Sequence, residues 1–428
     1  MSMFMMNRTI IVKEFDRIYV GNIIDNVKIT LEDINQLNNM VLKESDATIE
    51  DFIKPLHKGV QFKNYVGVLK LHTGLIIEIL PKVYDSNNEE TSKHLVLEMI
   101  RNTIGATPKL FGSTNMSDNN HSMLEIFVEM FIDEVKSICQ KGLVSDYQVI
   151  EDNNNYLKGK LLVHKQIKYN HVNRAKFYSE FDEFTNDHQL NRVIKSALIY
   201  LTRNYLPSRL QRELKNLIIM FEDVDHSAVG DLRENIILNR RFQYYDKAIK
   251  WAQLILQNKS LQTYAGNTAA LAFLFPMEKL YEEYIANKLK KTKSMFTLVN
   301  TQHNKYSLFN MKNDKKVNVY KIKPDIVTTS NDSDEVIIID TKWKILNYYG
   351  PSQMDLYQMY AYYTRYKQLG MNVKKVVLLY PYSDQYAPAT FKSLNNILEV
   401  ESIIEIVYID FTEDDWVDKL WEKINTIK

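Results

Sequence analysis

The residue types best suited to chemistry lie in the last third of the sequence. Pro324-Asp325 is followed, after fourteen intervening residues, by Asp340-Thr341-Lys342 at the end of an apolar run. If the two acidic residues end neighbouring strands of a hairpin, their carboxylates can converge on one hard cation, which prefers oxygen ligands. The backbone carbonyl of Thr341 is a candidate for a further ligand. Lys342 is expected on the same strand face as Asp340, because side chains alternate along a strand.

This set of groups suits metal-dependent hydrolysis of a phosphodiester. The reaction benefits from Mg²⁺ or Mn²⁺, which polarises the phosphoryl oxygen and lowers the pKa of a bound water, and from an ammonium group near the developing negative charge. Carboxylate and carbonyl oxygens include no soft ligand that would select zinc. The alternative is that a Pro-Asp turn and an Asp-x-Lys strand end occur together by chance.

A predicted helix over residues 353–369 offers a polar stripe to the same site. Gln358 and Tyr362 are four residues apart and share a face with Asp355 and Arg365. We expect the opposite stripe to pack in the core; it consists of Leu356, Met359, Tyr360 and Tyr363. The polar stripe is therefore available to face the site or solvent.

A second predicted helix, from about residue 276 to 290, supplies another carboxylate. Glu282 shares a face with Ile285 and Leu289, so we expect it to be half-buried and to contact the metal or its water. Glu283 lies on a polar face and is expected in solvent. An ordinary surface ion pair is the alternative for Glu282.

The surrounding pattern predicts α+β or α/β structure, with a mixed sheet between helices in the last third. Apolar strands alternate with helices there; the predicted strands are 317–322, 326–328, 336–340, 373–380 and 404–409, and a last helix covers 413–424. Earlier in the chain, residues 66–71 and 75–80 suit a hairpin with Gly74 in the left-handed conformation. An extended piece is expected over 156–167 and helices over 187–257.

These patterns predict two main regions. Residues 1–175 form a β-rich region without a catalytic motif, which suits docking of a partner. Residues 176–428 form the second region, with a helical lead-in over 176–265 and a catalytic core over 266–428. The boundary at 175 rests on the change from a strand-rich to a helical pattern.

Composition narrows the classes of function. The net charge of +1 neither supports nor excludes nucleic-acid binding. A single cysteine, Cys139, excludes an internal disulfide framework and any four-cysteine metal site within one chain. The sequence has no P-loop motif, no apolar run long enough to span a bilayer and no secretory signal, so we expect a cytoplasmic protein that does not bind the membrane.

The motifs resemble a known nuclease family. Pro324-Asp325, Asp340-Thr341-Lys342 and Gln358-x3-Tyr362 are similar to the PD-(D/E)xK core with the Q-x3-Y helix of its RecB-like branch. The wider sequence resembles the McrC family, the nuclease subunits of McrBC-type modification-dependent restriction systems. The similar stretches are residues 74–82, 180–185, 191–195, 277–284 and 340–344.

The resemblance implies a metal-dependent DNA endonuclease that cleaves modified foreign DNA when assembled with an McrB-like AAA+ GTPase oligomer. It also implies a carboxy-terminal nuclease sandwich with a mixed sheet and a β-rich amino-terminal region that docks the partner. Two alternatives stay open. The chain could be a repair exonuclease of the RecB-like branch, or a non-catalytic adaptor that activates an NTPase ring.

Overall fold

The computed structural model describes most of the chain and has the mixed α and β composition that the sequence predicts. The described residues are 8–41, 52–82, 89–105, 122–204, 206–225, 240–265, 271–292, 297–302, 305–310, 318–330, 334–382, 387–392 and 403–425. None of the helices in these ranges combines the length and apolar character needed to cross a membrane.

The helices of the described residues lie mainly in the middle of the chain and around the carboxy-terminal sheet. They are α1 Leu31–Val41, α2 Glu89–Ile100, α3 Met123–Lys141, α4 Val163–Asn170, α5 Gln189–Thr202, α6 Ser208–Met220, α7 Asp246–Ala265, α8 Met277–Lys291, α9 Gln353–Gln368 and α10 Trp416–Asn425. A π-helical turn, Arg101–Gly105, follows α2, and a 3₁₀ helix, Arg240–Tyr245, precedes α7.

The strands concentrate at the two ends of the chain. They are β1 Arg8–Lys13, β2 Arg17–Tyr19, β3 Ile23–Ile24, β4 Val27–Lys28, β5 Ile53–Leu56, β6 Gly59–Phe62, β7 Tyr65–Lys70, β8 Leu75–Leu80, β9 Asp146–Asn154, β10 Lys160–Leu161, β11 Phe177–Thr185, β12 Leu271–Pro276, β13 Thr297–Thr301, β14 Ser307–Asn310, β15 Asn318–Lys321, β16 Ile326–Ser330, β17 Glu335–Thr341, β18 Asn372–Pro381, β19 Thr390–Lys392 and β20 Ile403–Ile409.

The chain divides into two compact units that do not follow the predicted boundary at residue 175. Unit 1 comprises Met1–Val68, Leu75–Gly105 and Leu274–Lys428, and unit 2 comprises Leu69–Gly74 and Ala106–Phe273. Unit 1 therefore joins the amino-terminal strands with the carboxy-terminal sheet. The docking role assigned to residues 1–175 stays a prediction.

A six-stranded mixed sheet organises the carboxy-terminal part of unit 1, in the order β13-β16-β17-β18-β20-β19. β16 and β17 are antiparallel, whereas β18 runs parallel to both β17 and β20. The central strands are apolar on both faces, as expected where helices and loops cover a parallel sheet. Helix α9 packs on one face, where Met359, Tyr363 and Tyr366 join Ile338 and Leu378 in one core.

The amino-terminal strands belong to a four-stranded sheet in the order β1-β8-β7-β12. Strands β7 and β8 are neighbours, and Gly74 between them has φ +82°, the left-handed conformation expected for this turn. Strand β1 pairs in parallel with β8, so that Val12 lies opposite Ile79. The chain continues from β1 directly to Glu14, whose N–H donates to the Leu80 carbonyl over 3.0 Å.

Unit 2 contains the antiparallel sheet β10-β11-β9 and the helices α3 to α7. The prediction of extended structure over residues 156–167 is wrong in its second half, because α4 begins at Val163. Polar contacts with the sheet stabilise this helix: the Tyr178 N–H donates to Gln166 Oε1 over 2.7 Å, and Asn170 exchanges amide hydrogen bonds with Asn153. Local periodicity does not reveal such contacts.

Candidate active site

The antiparallel pair β16–β17 brings the two predicted carboxylates to one end of the sheet. Ile326 lies opposite Ile339, so Asp325 and Asp340 flank the same rung of the ladder. Asp325 Oδ2 accepts hydrogen bonds from the Thr341 N–H and from Thr341 Oγ1, each over 2.7 Å. Asp340 is buried, with 1% of its surface exposed.

Lys342 turns its ammonium group back to this pair. Its Nζ lies 2.6 Å from Asp340 Oδ2 and donates a hydrogen bond to Gln358 Oε1 over 3.1 Å. The ion pair neutralises Asp340 Oδ2, yet no group in the described part of the chain gives this buried oxygen a hydrogen bond of good directional geometry. Asp340 Oδ2 is therefore a candidate ligand for a metal ion.

Helix α9 presents its polar stripe to the site. Gln358 Nε2 donates to the Tyr362 hydroxyl over 2.7 Å, and that hydroxyl donates to the Lys323 carbonyl over 3.1 Å. The helix is fixed at its start by Ser352 and Asp355, which form a capping box. These contacts therefore connect Lys323, in the segment that carries Asp325 just before β16, to Lys342, which follows β17.

One core residue of α9 was predicted wrongly. Tyr360 was expected in the core but is 53% exposed, whereas Tyr362 and Tyr366 are buried. The buried stripe is rotated because the ring of Tyr362 packs in the core while its hydroxyl reaches the site. A residue can thus belong to both stripes, which a division into polar and apolar faces does not represent.

Glu282 lies on α8 and is half-buried, whereas Glu283 is exposed, as the helical pattern predicts. Burial and then the charge of Asp325 raise the pKa of Glu282 to about 7, although a hydrogen bond with Gln302 opposes this. Glu282 therefore interacts electrostatically with the site. Within the described ranges, no three carboxylate, imidazole or thiol side chains are grouped so as to hold a metal ion.

Burial or neighbouring negative charge also raises the pKa of each of Asp325, Asp340 and Lys342. Burial, followed by the charge of Asp325, raises the pKa of Asp340 to about 7, and burial also raises the pKa of Asp325. Burial lowers the pKa of Lys342, but the carboxylates, with Asp340 first, raise it by more, so the lysine stays protonated. Such a site gains stability when a cation shares the negative charge.

The donor set fits Mg²⁺ or Mn²⁺. Mg²⁺ keeps several waters and is commonly held by one or two carboxylates, so Asp325, Asp340 and the Thr341 carbonyl are sufficient as protein ligands. Because Glu282 does not complete a three-carboxylate group with them, its predicted contact is better made through a bound water. All of these ligand roles stay predictions.

Comparison with known proteins identifies the family. Residues 60–381 match the family described as McrBC 5-methylcytosine restriction system component. The chain belongs to this McrBC family. The match spans most of the chain and includes every predicted site residue, so the predicted resemblance is confirmed at the level of the family. No protein with a curated description matches the sequence significantly.

Two solved structures are similar to this chain. A chain from the refined half-complex of the tetradecameric assembly of Thermococcus gammatolerans McrB AAA+ hexamers with bound McrC is similar with a TM-score of 0.64 and 18% identity, covering 97% of this chain and 100% of that one. A chain of the Thermococcus gammatolerans McrBC complex has a TM-score of 0.48 and 19% identity, covering 66% and 87% respectively. The first similarity shows a shared fold.

Sequence reasoning missed two contacts near the site. Lys344 Nζ lies 2.5 Å from Asp355 Oδ2, which ties the strand end to the start of α9. The Lys323 carbonyl accepts a hydrogen bond from the Tyr362 hydroxyl, although Lys323 belongs to no recognised motif. The Ser352-x-x-Asp355 spacing, typical of a capping box, is a weak sequence signal that Asp355 lies at the start of α9. The Lys323 contact has no such signal, because a backbone carbonyl is present at every residue.

Proposed function

We propose that this McrBC family member is the nuclease subunit of its restriction system, a Mg²⁺-dependent DNA endonuclease of the PD-(D/E)xK type. The observation that carries the proposal is the contact of Lys342 with both Asp340 and Gln358 beside Asp325. A lysine that served only as a surface charge would not need a second partner held in place by Tyr362.

The side chains divide the work of phosphodiester hydrolysis among them. Bound at Asp325 and Asp340, Mg²⁺ supplies Lewis acidity and a water of lowered pKa. Lys342 orients the attacking water and offsets negative charge that develops on the scissile phosphate. Gln358 fixes the rotamer of Lys342, since its own amide is held by the Tyr362 hydroxyl. Glu282 binds a water of the site.

The surface beside the site suits a nucleic acid. The segment after Lys344 and the start of α9 expose Tyr348, Tyr349 and Tyr357, each by 60% or more. Aromatic rings at a nuclease site can stack on bases independently of sequence. With a net charge of +1, the free chain should attract phosphates weakly and with strong dependence on salt.

The proposal includes an AAA+ GTPase partner. The similar solved assembly is described as McrB AAA+ hexamers with bound McrC, and residues 1–175 are the predicted docking region. Within that region, exposed apolar side chains lie on β9 and around α4; they are Tyr147, Val149, Ile167 and Val172. Exposed apolar side chains of this kind could contribute to a protein interface. The chain alone is expected to be a poor nuclease.

A reconstitution tests the proposed function. The purified chain is mixed with 5-methylcytosine-containing supercoiled plasmid and Mg²⁺, with and without the AAA+ GTPase of the same system and GTP. We expect cleavage only in the complete mixture. Cleavage by the isolated chain at the same rate would contradict partner dependence.

Two other outcomes separate the alternative functions. Stimulated GTP hydrolysis without any cut in the plasmid would identify an adaptor and contradict the nuclease assignment. Degradation restricted to free ends of linear DNA, with closed circles untouched, would identify an exonuclease.

A further inference from the structure

A buried carboxyl group lies behind the proposed site and has no part in the mechanism above. Glu14, directly after β1, has no exposed surface. Its Oε2 accepts hydrogen bonds from Trp343 Nε1 over 3.1 Å and from the Lys82 N–H over 3.2 Å, whereas its buried Oε1 has no hydrogen-bond partner among the described residues. A half-satisfied carboxyl group in the interior costs stability, so its presence calls for a role.

The contact partner of Glu14 lies next to the proposed catalytic lysine. Trp343 follows Lys342, and the turn is tight because the Lys344 N–H donates to the Lys342 carbonyl over 3.0 Å. The indole also packs on Tyr281, with 5.1 Å between ring centroids. Tyr281 immediately precedes Glu282 on α8. The Trp343 indole therefore connects the turn that carries Lys342 with helix α8, which carries Glu282.

We propose that Glu14 is a positioning residue for the nuclease site, acting through its hydrogen bond to Trp343 to hold the turn that presents Lys342. This inference rests on the proposed nuclease function. Because Glu14 continues β1, the bond ties the amino-terminal sheet to the catalytic turn within unit 1.

The hydrogen bond adds a directional contact to the packing of the ring. Trp343 is buried and its ring is tilted by 55° against that of Tyr281, and the bond from Nε1 to Glu14 fixes the direction of the indole edge. Since Trp343 and Lys342 are consecutive, a shift of the backbone at Trp343 would displace the ammonium group of Lys342 from Asp340 and Gln358. A displacement of about 1 Å in a catalytic group can reduce turnover by about 100-fold.

Four variants of the chain, assembled with the GTPase, test the proposal. Glu14→Ala removes the acceptor, and Trp343→Phe removes the N–H donor together with part of the aromatic ring. Glu14→Gln keeps a carbonyl oxygen that can accept both bonds. Trp421→Phe is the matched control, because Trp421 Nε1 donates to Thr292 Oγ1 over the same 3.1 Å in the same unit.

We expect Glu14→Ala and Trp343→Phe each to lower kcat for DNA cleavage by about tenfold or more, with KM for DNA changed by less than about twofold. Combining them should add little, because both remove the Glu14–Trp343 hydrogen bond. Glu14→Gln should stay within about threefold of the unaltered chain, and Trp421→Phe should match it. Unaltered kcat in Glu14→Ala, or equal losses in Glu14→Gln and Glu14→Ala, would overturn the positioning role.

A second measurement does not depend on cleavage. Titration calorimetry of the isolated folded chains should show weaker Mg²⁺ binding in Glu14→Ala and Trp343→Phe, because the turn directly follows the Thr341 carbonyl, a proposed ligand. Glu14→Gln and Trp421→Phe should keep the affinity. If the unaltered complex cuts no DNA, the proposed function fails, and the Mg²⁺ affinities still decide the role of Glu14: equal affinities in all chains would refute it.

Discussion

Thr341 binds Asp325 twice, through its N–H and its hydroxyl, and both hydrogen bonds end on the same carboxylate oxygen at 2.7 Å. The middle residue of the Asp-x-Lys motif is thus held by the acidic residue of the Pro-Asp motif. The two motifs, sixteen residues apart at this contact, form one rigid unit at the end of the β16–β17 pair. The Thr341 side chain therefore has a structural role, although the Asp-x-Lys motif specifies no residue type at its middle position.

Replacement of Lys342 is the most direct test of the proposed catalysis. Lys342→Ala should reduce cleavage by the assembled complex by about 100-fold or more, because one charged contact in the transition state is lost. Lys342→Arg should not restore it, since a planar guanidinium cannot replace a compact ammonium group. The measurement is the nicking rate on methylated plasmid.

The matched control for this series is Lys374→Ala. Lys374 also pairs with a carboxylate, Glu335, over 3.2 Å, but at the start of β17 rather than its end. It should cut as the unaltered chain does. Normal nicking by the Lys342→Ala complex would remove Lys342 from the mechanism.

Removal of the metal should abolish activity reversibly. We expect cleavage to stop in EDTA and to return with excess Mg²⁺ or Mn²⁺, and Asp325→Asn to weaken Mg²⁺ binding measured by calorimetry. Asp410→Asn is a close control, because Asp410 accepts bonds from the N–H and Oγ1 of Thr412 just as Asp325 does from Thr341. Cleavage that persists in chelator would contradict the mechanism.

The Tyr362 hydroxyl should matter although it touches no proposed ligand. Tyr362→Phe releases Gln358 and leaves the Lys323 carbonyl without its donor, so we expect about 1 kcal/mol lower stability and about tenfold slower cleavage. Tyr360→Phe, on the exposed side of the same helix, should change neither. Urea unfolding and nicking rates measure the two effects; equal behaviour of both variants would exclude the Tyr362 contact.

The stability of the metal-free chain should depend on pH through Glu14. Burial raises the pKa of Glu14 to about 7, against the hydrogen bond from Trp343, while the charge of Glu278 raises it further and that of Lys82 lowers it. The folded chain therefore holds this proton more tightly than the unfolded chain. The contribution of this proton to the free energy of unfolding is complete below about pH 4.5 and is lost as the pH rises through about 7.

Comparison with Glu14→Gln isolates this contribution from the other acidic groups. The free energy of unfolding of the unaltered chain should fall relative to the variant by on the order of 3 kcal/mol between about pH 5 and pH 8. Parallel pH profiles for the two chains, measured by urea unfolding, would show that Glu14 does not titrate in this range.

The sequence predicted the elements around the site well because their signals are local. The apolar run before Asp340 and the spacing of Gln358 and Tyr362 gave β17 and the polar stripe of α9. Helical periodicity did not predict which tyrosines of α9 are buried. Tyr360 was expected in the core but is exposed, whereas Tyr366 is buried.

Long-range contacts lay beyond such reasoning. Glu14 and Trp343 are 329 residues apart, and no spacing rule relates two positions so distant. For the same reason the change of pattern near residue 175 did not indicate the compact units, each of which is assembled from separate segments. Partners of this kind are selected by tertiary packing, for which a single sequence carries no periodic signal.

The segmented composition of unit 1 has a consequence for synthesis on the ribosome. Nearly all of unit 2 is one continuous stretch, Ala106–Phe273, whereas unit 1 needs Leu274–Lys428 to join strands made much earlier. The amino-terminal strands are therefore synthesised well before the segment that completes unit 1, and Ala106–Phe273 is synthesised in between. Because Asp325, Asp340 and Lys342 follow unit 2 in the sequence, a product truncated before residue 325 would lack the groups proposed to cut DNA. Under the proposed nuclease function, the order of translation would thus keep such incomplete copies from cutting the host genome.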